Sequence, residues 1–465
     1  MEKEKSAAKQ LEEQLLYKAP NVLDARPELK EKTWAYCEEY RQFLNRAKTE
    51  REFIEEAVVL LDAAGYRRYD PLASYQPGDK VYWVNRGKAL LASTFGSLPV
   101  SEGVRINAAH IDSPRLDLKQ NPLYEKGDLA YFKTHYYGGL RKYQWTAIPL
   151  SIHGVFVRPD GQTVRVKIGE EPGDPIFTIS DLLPHLSKDQ DRRPLADGVK
   201  GEELNLLVGS QPYPDEEIKN RVKLATMQLL HEKYGIIERD FACAELEIVP
   251  AFEARDLGFD RSMIAAYGHD DRVCAYAALR AEIDIKAPRH TTVTCLTDKE
   301  ETGSDGNTGL ASAYLVHYLS YLAQGQGADI KTVLAKSNCL SADVNAAYDP
   351  TFADVFEENN VARLNKGVVV TKYTGARGKS STSDASAETM AFFTSILDRS
   401  GVIWQTGELG KVDIGGGGTV AKYVANHNID VVDIGVPLLS MHAPYEVAAK
   451  ADIYMCYLAF SAFAE

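Results

Sequence analysis

The sequence predicts a mixed, mostly parallel α/β sheet flanked by helices and interrupted by a separate, partly β insertion. Three observations predict it. From about residue 260, apolar strand-like runs alternate with helix-like ones. A block of strand-like runs over about 80–118 stands before the insertion. Over roughly 119–255 the composition shifts to aromatic and Gly-rich, then Pro- and Asp-rich sequence. Strands alternating with helices form a mostly parallel sheet covered on both faces. In such sheets, sites gather where strands end and loops begin.

Taken in order, residues 28–65 carry apolar side chains at three- and four-residue spacing and stop at Gly65, which predicts helix. "GVRINAAHIDSPRLDLK" closes the strand block. "SIHGVFVRPDGQTVRVKIG" predicts a hairpin turning at Pro159, Asp160 and Gly161. Residues 170–220 show few periodic runs. Beyond 260 come helix "DRVCAYAALRAEI", strand "TTVTCL", helix "GLASAYLVHYLSYLAQ" and strand "SNCLSADV". Strand "KGVVVTKY", helix "SAETMAFFTSILDRSG", strand "DVVDIGVP" and a final helix from about Ala448 follow. The expected division is one discontinuous domain, 1–118 and 256–465, around an insertion at 119–255.

Composition narrows the function classes. The 465 residues are 45% hydrophobic and 26% charged, ordinary for a globular protein long enough for more than one folding unit. Lys and Arg number 53 against 66 Asp and Glu, a formal charge of −13. That argues against nucleic acid or an anionic membrane as the main partner. "MEKEKSAAKQLEEQLL" lacks the apolar core of a signal peptide. No stretch approaches the roughly 18 apolar residues of a membrane span. The six cysteines are scattered without a C-x-x-C pair, as expected for reduced thiols in the cytoplasm.

Five segments put acids or histidines at strand ends: "AAHIDSP", "YGHDDRV", "TDKEETG", "LSADVN" and "LLSMHAP". Singly, each has an ordinary reading. An Asp before a helix is usually an N-cap, and an adjacent glutamate pair is usually solvated. Five together in one α/β domain point to a metal site. His110 and Asp112 stand two apart and so face one way on a strand. Metal-binding imidazoles commonly hand their second N–H to an acceptor that fixes the tautomer, which Asp112 can influence. Glu300 and Glu301, as neighbours in extended chain, would point apart. One can then bind metal while the other takes the proton of an attacking water. Counting donors gives two ions: His110, Asp343, Glu301 and His442 as terminal ligands, with one Asp of "HDD" as the bridge. Zinc accepts this N/O set, and cobalt or manganese would too.

In this order, H-x-D, D-D, E-E, S-A-D and S-M-H resemble the aspartyl aminopeptidase / aminopeptidase I family of dinuclear zinc aminopeptidases, in a bacterial-type form. "HIDSPRLDLK", "KEETGS", "SADVN" and "GVPLLSMHAPYE" carry the likeness, which covers nearly the whole chain. The resemblance implies a zinc-peptidase/phosphorylase-like fold. It implies one ion on His110, Asp270 and Asp343 and a second on Asp270, Glu301 and His442, with Asp271 structural. Glu300 matches the general base and Asp112 the residue behind His110. The activity implied is release of one N-terminal residue from a peptide with a free α-amine. The insertion would be a dimerisation or lid domain, building homo-oligomers up to a tetrahedral dodecamer. It would also lend a histidine to the neighbouring subunit, matched best by His185 in "SDLLPHLSK"; His153 alternates within a strand and packs. Lys372 falls where the family contacts substrate, and the glycine run 415–418, with Gly417 and Gly418, allows close backbone approach to a ligand. The chain has Asp298, Lys299, Glu300, Glu301 and Thr302 where the family often has D-N-E-E-I. A two-metal deacylase or carboxypeptidase on the same fold is the alternative. The long insertion, the late "SMH" and the "EETGS" loop favour the aminopeptidase. The intact ligands disfavour a non-enzymatic assembly protein.

Overall fold

The computed structural model describes residues 6–158 and 160–465. Among these, the large sheet has nine strands. Its centre is the parallel set Thr292–Thr297, Arg105–His110, Asn338–Ala342 and Asp430–Gly435, in that spatial order. Antiparallel pairings join Ala89–Thr94 to one side and Val368–Thr371 to the other. The mixed, mostly parallel sheet expected from the strand–helix alternation is present, with helices on both faces.

The reason is period-two burial. Along Arg105–His110, Ile106 and Ala108 enter one apolar core and Ala109 enters the other. Cys295 and Leu296 divide in the same way. One face packs against the helices Lys30–Arg46, His269–Asp284 and Lys450–Ala464. The opposite face packs against Tyr314–Gly325, Ile330–Lys336 and Ala421–Ala425. Strands buried on both faces read as continuous apolar runs, which is how "TTVTCL" and "DVVDIGVP" read.

Two local expectations are corrected. The helix expected over 28–65 is two helices, Lys30–Arg46 and Glu50–Ala63. Thr49 starts the second with a capping box: its hydroxyl accepts from Glu52 N–H at 3.3 Å, and Glu52 Oε2 accepts from Thr49 N–H at 3.3 Å. A cap satisfies the otherwise unpaired first N–H groups, so the chain gains by breaking there. Glu300 and Glu301 do not lie in extended chain. The strand ends at Thr297, Lys299 turns with φ 68°, and Glu300–Thr302 forms a short 3-10 turn.

A second, wholly antiparallel sheet occupies the region expected to be inserted. Its strands, from Arg115–Lys126 to Ala244–Pro250, enclose their own core around Trp145, Phe156 and Leu206. The hairpin pairs Leu150–Val157 with Thr163–Ile168; its turn residue Pro159 lies outside the described residues. A helix, Arg221–Tyr234, also belongs here and ends on Gly235 at φ 66°. A third, five-stranded sheet sets Glu446–Ala449 antiparallel to Met263–Ala266. That pairing brings the segments carrying residues 270 and 442 together. All six cysteines are free, and five of them are buried.

Candidate active site

The parallel strands deliver the site. Thr297 pairs with His110, so the turn of Glu300 and Glu301 leaves the sheet beside that histidine. Asp343 follows directly on Asn338–Ala342, one strand further along. Asp270 comes from the start of His269–Asp284, where its dihedral angles are not helical. His442 stands in the left-handed region at φ 65°, in the loop before Glu446–Ala449.

These side chains converge. His110 Nε2 lies 3.1 Å from Asp270 Oδ1 and 3.8 Å from Asp343 Oδ1. His442 Nε2 lies 3.0 Å from Asp270 Oδ2 and 3.5 Å from Glu301 Oε2. The two oxygens of Asp270 therefore face two different histidines. Donor atoms of His110, Glu300 and Asp343 also fall within 4.8 Å of one another. Asp112 sits behind the site. Its backbone carbonyl is 3.0 Å from His110 Nδ1, and its carboxylate accepts the N–H groups of Glu300 at 3.2 Å and Glu301 at 3.3 Å. One residue thus orients a histidine and both glutamates.

The electrostatics call for positive charge. Burial, with Asp343 adding to it, pushes the Glu300 carboxyl up to about 8. Burial and Asp270 push Glu301 well up, and burial raises Asp343. Burial would raise Asp270 too, but hydrogen bonds from His110 and His442 outweigh it and hold the carboxyl low. Burial opposes charge on His442, yet Asp270 and Glu301 lift it to about 11. His110 is likewise raised, by Asp112, Asp270 and Asp343. Carboxylates crowded in a low dielectric are stable only beside protonated imidazoles or bound cations. Glu301 Oε1 is buried with no hydrogen-bond partner, as a ligand oxygen would be. Donors about 2.0–2.2 Å from a tetrahedral zinc stand roughly 3.3–3.5 Å apart, so the observed spacings suit it.

The cluster opens into a cavity of about 480 Å³. Glu300, Asp343 and His442 form its floor, and Val344, Leu409 and Met441 give it an apolar wall.

Comparison with known proteins agrees with this chemistry. The profile of the aminopeptidase I zinc metalloprotease (M18) family matches residues 43–464. A Clostridium acetobutylicum protein described as a probable M18 family aminopeptidase 1 is 48% identical over 444 residues, 94% of this chain and 95% of that one. The chain belongs to the M18 family of zinc metallo-aminopeptidases. It is therefore a hydrolase. The crystal structure of a Thermotoga maritima M18 aminopeptidase superposes with a TM-score of 0.93 at 45% identity, covering 97% of this chain and all of that one. The yeast mApe1 dodecamer, at 20% identity and a TM-score of 0.74 over 92% of this chain and 95% of that one, shares the fold.

In this M18 aminopeptidase the remaining candidates are placed unevenly. Gly417 and Gly418 line the cavity, and Gly417 accepts the Gly375 N–H at 2.5 Å. Lys372 does not line it; its ammonium pairs with Asp384 instead. His185 is exposed in a turn of the six-stranded region and does not line its own chain's cavity. His153 is buried, with Nδ1 2.8 Å from Glu52 and Nε2 2.9 Å from Glu170. Asp271 is buried beside the Cys274 thiol. Among the described residues, no helix is long and apolar enough to cross a membrane.

Sequence reasoning missed several residues. Glu446 is buried and accepts the backbone N–H groups of both Asp270 and His442. Tyr137 donates to Asp112 Oδ2 at 2.8 Å, and the Gly139 carbonyl lies 2.6 Å from His442 Nδ1. Thr419, on the cavity wall, donates to buried Asp433 at 2.8 Å. Only "HAPYE", already singled out, carried a sign of one of them.

Proposed function

We propose that this aminopeptidase removes the N-terminal residue from peptides with a free α-amine, using two divalent ions and Glu300 as general base. The observation that carries this reading is Asp270, whose two oxygens face His110 and His442 at 3.1 and 3.0 Å. One ion is assigned to His110, Asp270 and Asp343, the other to Asp270, Glu301 and His442. Zinc is the family's metal, and cobalt or manganese suits the same donors.

Bound there, the ions would lower the pKa of an attacking water and polarise the peptide carbonyl. Glu300 accepts the proton of that water and returns it to the leaving amine nitrogen. Asp112 keeps the turn aimed by holding both backbone N–H groups. Gly417 and Gly418 let the peptide backbone approach closely. A substrate role for Lys372 requires its pair with Asp384 to open.

We assign the six-stranded region, 119–255, to dimerisation, with dimers assembling further, up to a tetrahedral dodecamer. Its Leu182, Leu183 and Leu186 are 52%, 50% and 67% exposed around His185. Exposed apolar clusters of this kind mark contact surfaces. His185 is the residue proposed to reach a neighbouring subunit's site. The likeness of fold to a dodecameric structure supports the assembly. Six unpaired cysteines support the reducing cytoplasm.

Chromogenic amides of Asp, Glu, Leu, Lys and Met, with an N-acetylated control, test the function. Cleavage of free-amine substrates alone is expected. Cleavage of the blocked control at a similar rate would favour a deacylase.

A further inference from the structure

We infer that residues 137–139 of the six-stranded region are a positioning element of the metal centre, serving the His442 side in particular. This rests on the two-ion reading above. The two candidate histidine ligands are braced differently. His110 finds its Nδ1 partner two residues along its own chain, the carbonyl of Asp112 at 3.0 Å. His442 finds its partner 303 residues away, the carbonyl of Gly139 at 2.6 Å.

A carbonyl oxygen only accepts hydrogen bonds, so His442 carries a hydrogen on Nδ1 there. The other nitrogen, Nε2, then keeps its lone pair for a metal in the neutral ring, and it is the atom facing Asp270 and Glu301. The same contact fixes the angle of a ring whose side chain is 34% exposed and whose backbone is in the left-handed region.

The neighbouring residues press on the same side of the centre. Gly138 stands at φ 74°; a Cβ there would lie 3.1 Å from Glu301 Cβ and 3.3 Å from its Oε2. A Cβ on Gly139 would lie 3.3 Å from His442 Nδ1. Two adjacent glycines thus let this backbone close on two ligands of one ion. Tyr137, at the end of the strand Leu129–Tyr137, donates to Asp112 Oδ2, whose carboxylate holds the Glu300 and Glu301 N–H groups. Its ring is packed by the Arg115 guanidinium 3.9 Å from the centroid, which keeps the hydroxyl in place.

The consequence is asymmetric. Crowding Gly139 should weaken the ion held by Asp270, Glu301 and His442 and spare the ion held by His110, Asp270 and Asp343. Outer contacts of this kind typically change metal affinity by about 10–100-fold. The test is metal content and competition titration against a chromophoric chelator, on wild type, Gly139→Val and Tyr137→Phe. The unfolding temperature of each metal-free protein is measured alongside. Wild type should hold two ions, and Gly139→Val about one after dialysis against chelator, with the metal-free unfolding temperature unchanged. Tyr137→Phe acts through Asp112, which stands behind His110 as well as the glutamate turn, and should weaken both ions by a smaller factor. If valine prevents folding, Gly139→Ala makes the same contact with one carbon. Two ions held by the glycine variants within twofold of wild-type affinity would overturn the inference. Equal weakening of both ions in those variants, with a lowered metal-free unfolding temperature, would do so as well. Wild type holding fewer than two ions would instead overturn the two-ion reading beneath it.

Discussion

One carboxylate oxygen of Glu446 accepts the backbone N–H of His442 at 2.7 Å. The other accepts the N–H of Asp270 at 3.1 Å. Two proposed ligands from distant parts of the chain are thus held by their backbones to one buried side chain. Glu446→Gln keeps the shape but offers one acceptor and one amine where two N–H groups need acceptors. A buried donor left facing a donor costs about 1–3 kcal/mol. Metal affinity should fall by roughly 10–100-fold, read by competition titration, and excess metal should restore turnover.

Glu300→Gln removes a proton acceptor without removing a proposed ligand. General bases contribute about 10²–10⁴-fold. The expected result is a kcat lower by that factor with two ions still bound by elemental analysis. Unchanged kcat would take the base role from Glu300.

His153 joins the six-stranded region to the N-terminal helices through Glu52 and Glu170, beside the buried Lys48–Glu170 pair at 2.8 Å. Burial opposes its charge, but the two carboxylates outweigh that and raise the imidazole above its ordinary value. A raised histidine stabilises fully below its unfolded pKa of about 6.5, and loses the contribution as pH rises through the folded value. Glu170, held at about 2, stays ionised over that range. His153→Gln should therefore cost most near pH 6, on the order of 1–3 kcal/mol, and less near pH 9. Urea unfolding of the metal-free protein at the two pH values measures it. A deficit that grows with pH would contradict the ion-pair account of His153.

His185→Ala should lower activity by more than tenfold in the assembled protein while leaving both ions bound. Activity within about twofold of wild type would end the trans-subunit assignment.

The candidate site was legible because sites in such sheets gather at strand ends. Period-two burial marks those ends, and His110, Asp270, Glu301, Asp343 and His442 all follow or open apolar runs. Glu446 was legible only in its link to His442, four residues before it; its hold on Asp270, 176 residues away, and the Gly139 contact, 303 residues away, were not legible. A buried acid and a backbone carbonyl leave no periodic trace. The helix break at Thr49 was legible in principle: T-x-x-E is a capping box, hidden inside an unbroken apolar period. The turn of Glu300 was not, because it depends on Lys299 adopting a left-handed backbone. The divergence expected of the two glutamates survives on different geometry. Glu301 reaches toward His442, and Glu300 lies with His110 and Asp343.

The proposed two-ion centre is tested most directly by anomalous diffraction from zinc-loaded crystals. Two peaks roughly 3.5–4 Å apart are expected. They should flank the Asp270 carboxylate, one beside His110 and Asp343 and the other beside Glu301 and His442. A single peak, or two that do not share Asp270, would contradict the bridging assignment.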